Sequence, residues 1–281
     1  MKIFKHILDF YINSSIHVGL SCYALVRITQ MKFHILGDES VAYFAFFGTI
    51  VGYNFVKYDA LARAKKFEMR NQLKLIAVFS FCALLLVCYY FWELQRATQL
   101  VSVAVLGITL LYTLSFFPNK KNARNWAGVK IYIVAVCWAG VTVVLPFLNS
   151  KSTLSYGFYL ECVQRFVLIF VLILIFEIID LTKDDPHLKT VPQQIGVKKT
   201  KTLGFVLLFV FCALAFWTVN ANANFEVLQL QLVFIITIVI AFFLAFANTQ
   251  RSNYYTAFWV ESIPIVWWLL LFVLVNCVRR F

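Results

Sequence analysis

Apolar residues run along this chain in stretches near 20 residues long, separated by short polar segments, from its first residues to its last. About 20 consecutive apolar residues carry an α-helix across a hydrocarbon core of roughly 30 Å. The pattern therefore predicts membrane-spanning helices near 10–31, 41–58, 73–92, 97–117, 128–148, 158–180, 203–219, 227–248 and 256–277. Nine spans make an all-α, polytopic membrane bundle, with residues 1–281 as a single membrane-embedded domain. The first span differs from the rest: Asn13, Ser14, Ser15, His17, Ser21 and Arg27 make it amphipathic enough to line a polar interior instead of facing lipid.

Composition agrees with this reading and narrows it. The chain is 62% hydrophobic and 14% charged, against roughly 25% charged in an average soluble domain, so it has too little polar surface to cover a globule in water. With 10 Gly, 5 Pro and 30 Phe it fits neither a disordered chain nor a collagen. The seven cysteines lie almost all within apolar stretches, without a CxxC pair, and read as small packing residues instead of a disulfide framework or zinc site. The N-terminal apolar run is broken by Asp9 and Asn13 with no small-residue cleavage site after it, so no removable signal peptide is expected.

The formal net charge of +12 gains meaning from its distribution. Of the 25 Lys and Arg, 18 fall on the side of the N-terminus under the nine-span topology, five on the opposite side, and Arg27 and Arg165 within spans. Positive residues concentrate in cytoplasmic loops, which predicts a protein of the cytoplasmic membrane with its N-terminus inside and its C-terminus outside. The three longest polar loops, after spans two, four and six, then share the cytoplasmic face and are all basic. No GxSxG or Walker loop, histidine cluster or nucleic-acid-binding motif accompanies them, so nucleic acid is not an expected partner.

Chemistry concentrates at the end of span six, in Phe176-Glu177-Ile178-Ile179-Asp180-Leu181-Thr182-Lys183-Asp184-Asp185-Pro186. If the helix continues through Asp184, then Glu177, Asp180 and Asp184 share one stripe, because successive residues turn by about 100°. Three carboxylates so placed near a bilayer call for a compensating cation. Mg²⁺ suits them: a hard ion that takes a few carboxylates, keeps waters and bridges to phosphate oxygens. A solvated acidic helix end paired with Lys183 and Lys189 is the competing reading. Elsewhere, Glu161 and Arg165 have the spacing of an internal ion pair. Glu261, just before Ile263-Pro264, is open to three roles: a protonated packing residue, a partner for Arg27, or part of a substrate cavity. His17, Asn248 and Asn253 read as hydrogen bonds between packed helices, and His187 as solvated.

The stretch from Asp180 and Asp184 through Lys189-Thr190-Val191-Pro192 to Ile195-Gly196 resembles the second aspartate-rich motif of the UbiA-type membrane prenyltransferase superfamily. In that motif a DxxxD ending a helix is followed by a short loop with Lys or Arg, Thr, a small apolar residue, Pro and then Gly. The resemblance extends to the nine spans, to the loops after spans two, four and six, and to Tyr112, Arg124, Lys130, Trp138 and Pro146. It implies transfer of an isoprenyl group from a prenyl diphosphate to an aromatic or lipophilic acceptor in the membrane, dependent on Mg²⁺. Glu177, Asp180 and Asp184 would hold the metal, the two aspartates being catalytic. Asn54, Lys57, Tyr112, Arg124 and Lys189 would bind substrate, with Lys120 a further candidate cation.

The first aspartate motif of that superfamily, NxxxDxxxD after span two, is not reproduced. The chain has Asn54, but Tyr58 and Ala62 stand at the aspartate positions, and Asp59 comes one residue late. On a helix that turns it by about 100° from the expected face, where pairing with Arg63 is the simpler role. Lys57 or Arg63 could then contact diphosphate directly. Two alternatives stay open beside the transferase: a terpene cyclase using the same ionisation, and a non-catalytic prenyl-lipid-binding or transport protein that lost the first motif.

Overall fold

The computed structural model of the chain describes residues 2–35, 38–63, 71–113, 128–184, 188–217 and 224–278. Among these residues there is no strand. The helices are α1 (Lys2–Asn13), α2 (Ile16–Lys32), α3 (Ser40–Arg63), α4 (Asn71–Glu93), α5 (Arg96–Thr113), α6 (Lys130–Ala139) continuing through a π-helical turn (Gly140–Val144) into α7 (Leu145–Asn149), α8 (Tyr156–Asp180), α9 (Val191–Trp217), α10 (Asn224–Phe246) and, after a second π-helical turn (Tyr255–Val260), α11 (Ile263–Val278). Among the described residues these form ten helical rods, against the nine spans expected. Six are long and apolar enough to cross a membrane, together with a shorter apolar helix at Arg96–Leu110.

The additional rod is α1. Its separation from α2 is local: Ser15 takes a left-handed conformation, φ 61°, and breaks the helix at Ser14-Ser15. Such a backbone is disfavoured for a residue with a Cβ, and here side chains hold it. Ser15 Oγ donates to Asn54 Oδ1 at 2.7 Å, and Asn54 Nδ2 donates to the Ser14 carbonyl at 3.0 Å and to Ser80 Oγ at 2.8 Å. A four-residue polar knot thus fastens the break to α3 and α4.

A helix apolar on all sides is satisfied in protein or in lipid, and the bundle contains both cases. Some 72% of the α8 span is buried, whereas 11% of the α4 span is. α8 is the central element, packed on α6, α9 and α10, with Val171, Leu174, Ile175, Ile178 and Ile179 in the main core. α4 turns Leu75, Val78, Phe81, Leu85, Tyr89 and Trp92 outward, as a helix facing acyl chains would. The remaining neighbours run α4, α3, α2, α11, α10, α9 around the molecule.

The polar residues of α2 face inward, toward carbonyls that lie near two prolines. Proline lacks an N–H and leaves the carbonyl four residues earlier without its helical partner. Pro146 frees the carbonyl of Thr142, which accepts from Thr29 Oγ1 of α2 at 2.8 Å. Ahead of Pro264, His17 Nε2 donates to the Phe258 carbonyl at 2.9 Å, and Ser21 Oγ donates to the Glu261 carbonyl. Each proline follows a π-helical turn, and α2 directs a hydroxyl or imidazole to a carbonyl in or beside each turn.

Candidate functional site at the acidic end of the bundle

The last turn of α8 carries the acidic motif. The amides of Lys183 and Asp184 both donate to the Asp180 carbonyl, at 2.8 and 2.9 Å, so helical winding persists through Asp184 and the two aspartates sit one turn apart. Asp180 is half-buried and pairs with Lys183 Nζ at 3.3 Å; Lys183 also donates to Asn253 Oδ1 at 2.6 Å, tying this turn to the segment before the second π-helical turn. Among the described acids of the motif, Asp184 stands out: its Oδ2 is buried and has no hydrogen-bond partner. An orphaned carboxylate oxygen is costly to bury and marks a place where a ligand would be satisfied.

Glu177 is used otherwise. It is 3% exposed, and its Oε2 accepts from the backbone amide of Val191 at 3.0 Å. That amide is the first of α9, one of the helix-start donors that lack an intrahelical partner, so Glu177 caps α9 and anchors the returning chain. Among the described residues no three His, Cys, Asp or Glu side chains are gathered in a geometry that would hold a metal ion. The site offers two aspartates on one turn and a third acid committed to the backbone.

The loop itself is stitched to its neighbour. Gly128 donates to the Leu188 carbonyl at 3.3 Å, joining the start of α6 to the segment ahead of α9. Lys189 is exposed in a left-handed conformation, φ 46°, and Gln194 Nε2 donates to its carbonyl. Gly196, φ 81°, kinks α9 one turn after Pro192, a conformation in which glycine carries no Cβ penalty. Across this end of the bundle Tyr254 donates to Asp9, and the acceptor carboxylate holds the phenolic proton so that Tyr254 titrates above an ordinary tyrosine.

Of the other expected substrate residues, Asn54 and Lys57 are engaged by near neighbours. Asn54 is 3% exposed and its amide is spent within the Ser14-Ser15 knot. Lys57 Nζ donates to the Asn13 carbonyl and to Asn13 Oδ1, both at 3.3 Å, and Tyr58 donates to the same carbonyl at 2.8 Å. Tyr112 belongs to α5, but its side chain, like those of Asp59 and Arg63, lies outside the described residues, as do Arg124 and Lys120. Glu161 and Arg165 form their pair at 2.8 Å, and Lys32 joins Glu161 from the other side at 2.7 Å. Arg27 pairs with Glu39 at 3.3 Å. His17 is held between the Tyr11 hydroxyl at 2.8 Å and the Phe258 carbonyl, as a packing residue.

No known family's sequence profile matches the chain, and no curated protein matches it. Solved structures do. A UbiA homologue from Aeropyrum pernix K1, without ligand, superposes with a TM-score of 0.65 at 13% identity, over 91% of this chain and 98% of that one. A UbiA homologue from Archaeoglobus fulgidus bound to Cd²⁺ superposes with a TM-score of 0.61 at 14% identity, over 94% of this chain and 99% of that one. At such identities the likeness is one of fold, and it spans nearly the whole of each molecule: the chain has the helical membrane fold of the UbiA homologues.

Proposed function

We propose that the protein ionises a prenyl diphosphate at the Asp180–Asp184 turn and passes the prenyl group to a lipophilic or aromatic acceptor in the membrane. The observation that carries this reading is the buried, unpartnered Oδ2 of Asp184 one helical turn from Asp180, on a UbiA-like bundle. Mg²⁺ usually takes one or two carboxylates plus substrate phosphates instead of an all-protein cage, so a pair of aspartates fits it where the described residues gather no three-acid cluster. Bound there, Mg²⁺ would stabilise the charge that gathers on the departing diphosphate oxygens.

The chain's own residues divide the remaining work. Asp184 supplies an oxygen without another partner, and Asp180, whose Oδ1 pairs with Lys183, supplies a second carboxylate. Glu177, engaged with Val191, positions the loop instead of holding metal. Lys189, exposed on that loop, is a candidate to meet the diphosphate as a point charge. The C1–O bond of the substrate breaks with its electron pair leaving on diphosphate; the allylic cation is captured by the acceptor, which then releases a proton.

A second reading, a prenyl-lipid-binding protein without turnover, is favoured by one observation: the Asn54 amide is fully engaged inside the fold. Incubation of the purified protein with geranyl, farnesyl and geranylgeranyl diphosphates, with and without Mg²⁺, separates the two. The transferase reading expects Mg²⁺-dependent diphosphate release that is lost in Asp180→Asn/Asp184→Asn. Absence of release from all three substrates, or equal release from the double variant, contradicts it.

A further inference from the structure

From Ile16 to Met31 the partly exposed residues of α2 are Ile16, Leu20, Tyr23, Arg27 and Met31, at steps of four, three, four and four. Such steps place side chains on one face of a helix. That face lies between two neighbours, because the Tyr23 ring meets Tyr43 of α3 at 5.7 Å and Trp268 of α11 at 5.5 Å. Leu269 and Phe272, beside Trp268 on α11, are 48% and 49% exposed, as residues against acyl chains would be. A groove over α2, flanked by α3 and α11, therefore opens on the side of the bundle.

The groove carries charge toward the end of α2. Arg27, one turn beyond Tyr23, reaches Glu39 just ahead of α3, Nη1 to Oε1 at 3.3 Å, with the side chains 24% and 53% exposed. An ion pair this open holds its members weakly, so each can turn to another charged group. Two donors beside it are unused by the fold: Arg27 Nε and the Trp268 indole Nε1 are both buried with no hydrogen-bond partner. Native structures leave few such groups unpaired. The groove thus presents one cation, one carboxylate and two unused donors. An anionic head group would meet Arg27 with Glu39 beside it, and a cationic one would meet Glu39 with Arg27 beside it, so each would face a like charge. A zwitterion, its phosphate on the guanidinium and its ammonium on the carboxylate, complements both. A primary ammonium can donate hydrogen bonds to that carboxylate, which a quaternary one cannot.

We infer that this groove binds one zwitterionic aminophospholipid of the surrounding bilayer. Its phosphate accepts from Arg27 and from the Trp268 indole, its primary ammonium donates to Glu39, and an acyl chain runs along Leu20 and Ile16. Arg27, Glu39 and Trp268 are outside the machinery assigned to prenyl transfer, and the inference does not depend on that reading.

Native mass spectrometry of the delipidated protein in detergent, titrated separately with dioleoyl forms of phosphatidylethanolamine, phosphatidylcholine, phosphatidylglycerol and diacylglycerol, tests it. The expected result is one phosphatidylethanolamine per chain, bound about tenfold more tightly than each of the others, the scale of one charge-assisted hydrogen bond. Arg27→Gln should weaken that binding about tenfold. Trp268→Phe, which keeps a ring and removes the donor, should weaken it about fivefold. Glu39→Gln, at an exposed side chain, should reverse the order of phosphatidylethanolamine and phosphatidylglycerol, because the cation then stands alone. Unchanged melting temperatures would show that Glu39→Gln and Trp268→Phe fold. Equal affinity for all the lipids, tighter binding of phosphatidylglycerol or phosphatidylcholine by the wild type, or an unaltered order in Glu39→Gln would overturn the inference.

Discussion

Asn54 and Asp184 lie at opposite extremes of side-chain commitment, and that contrast assigns them different work. The Asn54 amide is satisfied on three sides, so Asn54→Ala should strand buried partners at about 1–3 kcal/mol apiece. The variant's denaturation midpoint should fall while folded protein keeps its affinity for prenyl diphosphate; a loss of affinity without a loss of stability would restore Asn54 to the substrate site. Asp184→Asn preserves shape and removes charge, and should lower diphosphate release by about 100-fold with the melting temperature unchanged. The buried ionic network behaves differently again. Arg165→Met leaves Glu161 with Lys32 as its one counter-ion and should cost about 3–5 kcal/mol of stability, read from thermal unfolding in detergent. Of that network the sequence disclosed Glu161 and Arg165, because an i,i+4 spacing is visible locally, and concealed Lys32, which arrives from 129 positions away. The same limit hid the role of Glu177: its spacing with Asp180 and Asp184 is regular, but the amide it accepts from belongs to the next helix.

Two elements owe their form to prolines whose consequences extend to a neighbour. Pro146 and Pro264 were visible in the sequence, but the π-helical turns before them were not, since a 3.6-residue periodicity does not register one inserted residue. Nor was the compensation: the polar stripe of α2 reads as the lining of a cavity, whereas Thr29, His17 and Ser21 serve carbonyls on two other helices. Thr29→Val, which keeps the volume and removes the donor, should destabilise the protein by about 1–3 kcal/mol, measured by denaturant unfolding; an unchanged midpoint would show that the Thr142 carbonyl finds another partner. α2 also approaches α3 closely. A Cβ at Gly19 would stand 2.9 Å from Ile50 Cγ1 and 3.1 Å from the Phe46 carbonyl oxygen, so Gly19→Ala should cost about 1–3 kcal/mol through overpacking. α9 begins at Val191, earlier than the expected 203, because Lys198, Lys199 and Lys201 dilute the apolar count although the helix start is anchored by Glu177.

Across the whole molecule, hydropathy located the helical rods well because burial in protein and exposure to lipid impose the same apolar demand, and for that reason it could not say that α8 is central and α4 peripheral. Topology is a separate matter, carried by the basic loops. In a cysteine-depleted background, Lys198→Cys should react with an impermeant thiol reagent from the cytoplasmic side and Thr153→Cys from the opposite side; the reverse labelling would invert the molecule. The expected placement of the acidic turn on the cytoplasmic face would matter because a prenyl diphosphate presents its charged head to water and its tail to the bilayer. The central claim is that this turn, and Asp184 above all, holds a divalent ion against that head. Electron paramagnetic resonance of Mn²⁺, standing in for Mg²⁺, with farnesyl thiodiphosphate as an unreactive substrate, measures it without turnover. The account predicts protein-bound Mn²⁺ that requires the thiodiphosphate and disappears in Asp184→Asn; Mn²⁺ binding that is the same in the variant, or no bound Mn²⁺ with the thiodiphosphate present, would contradict it.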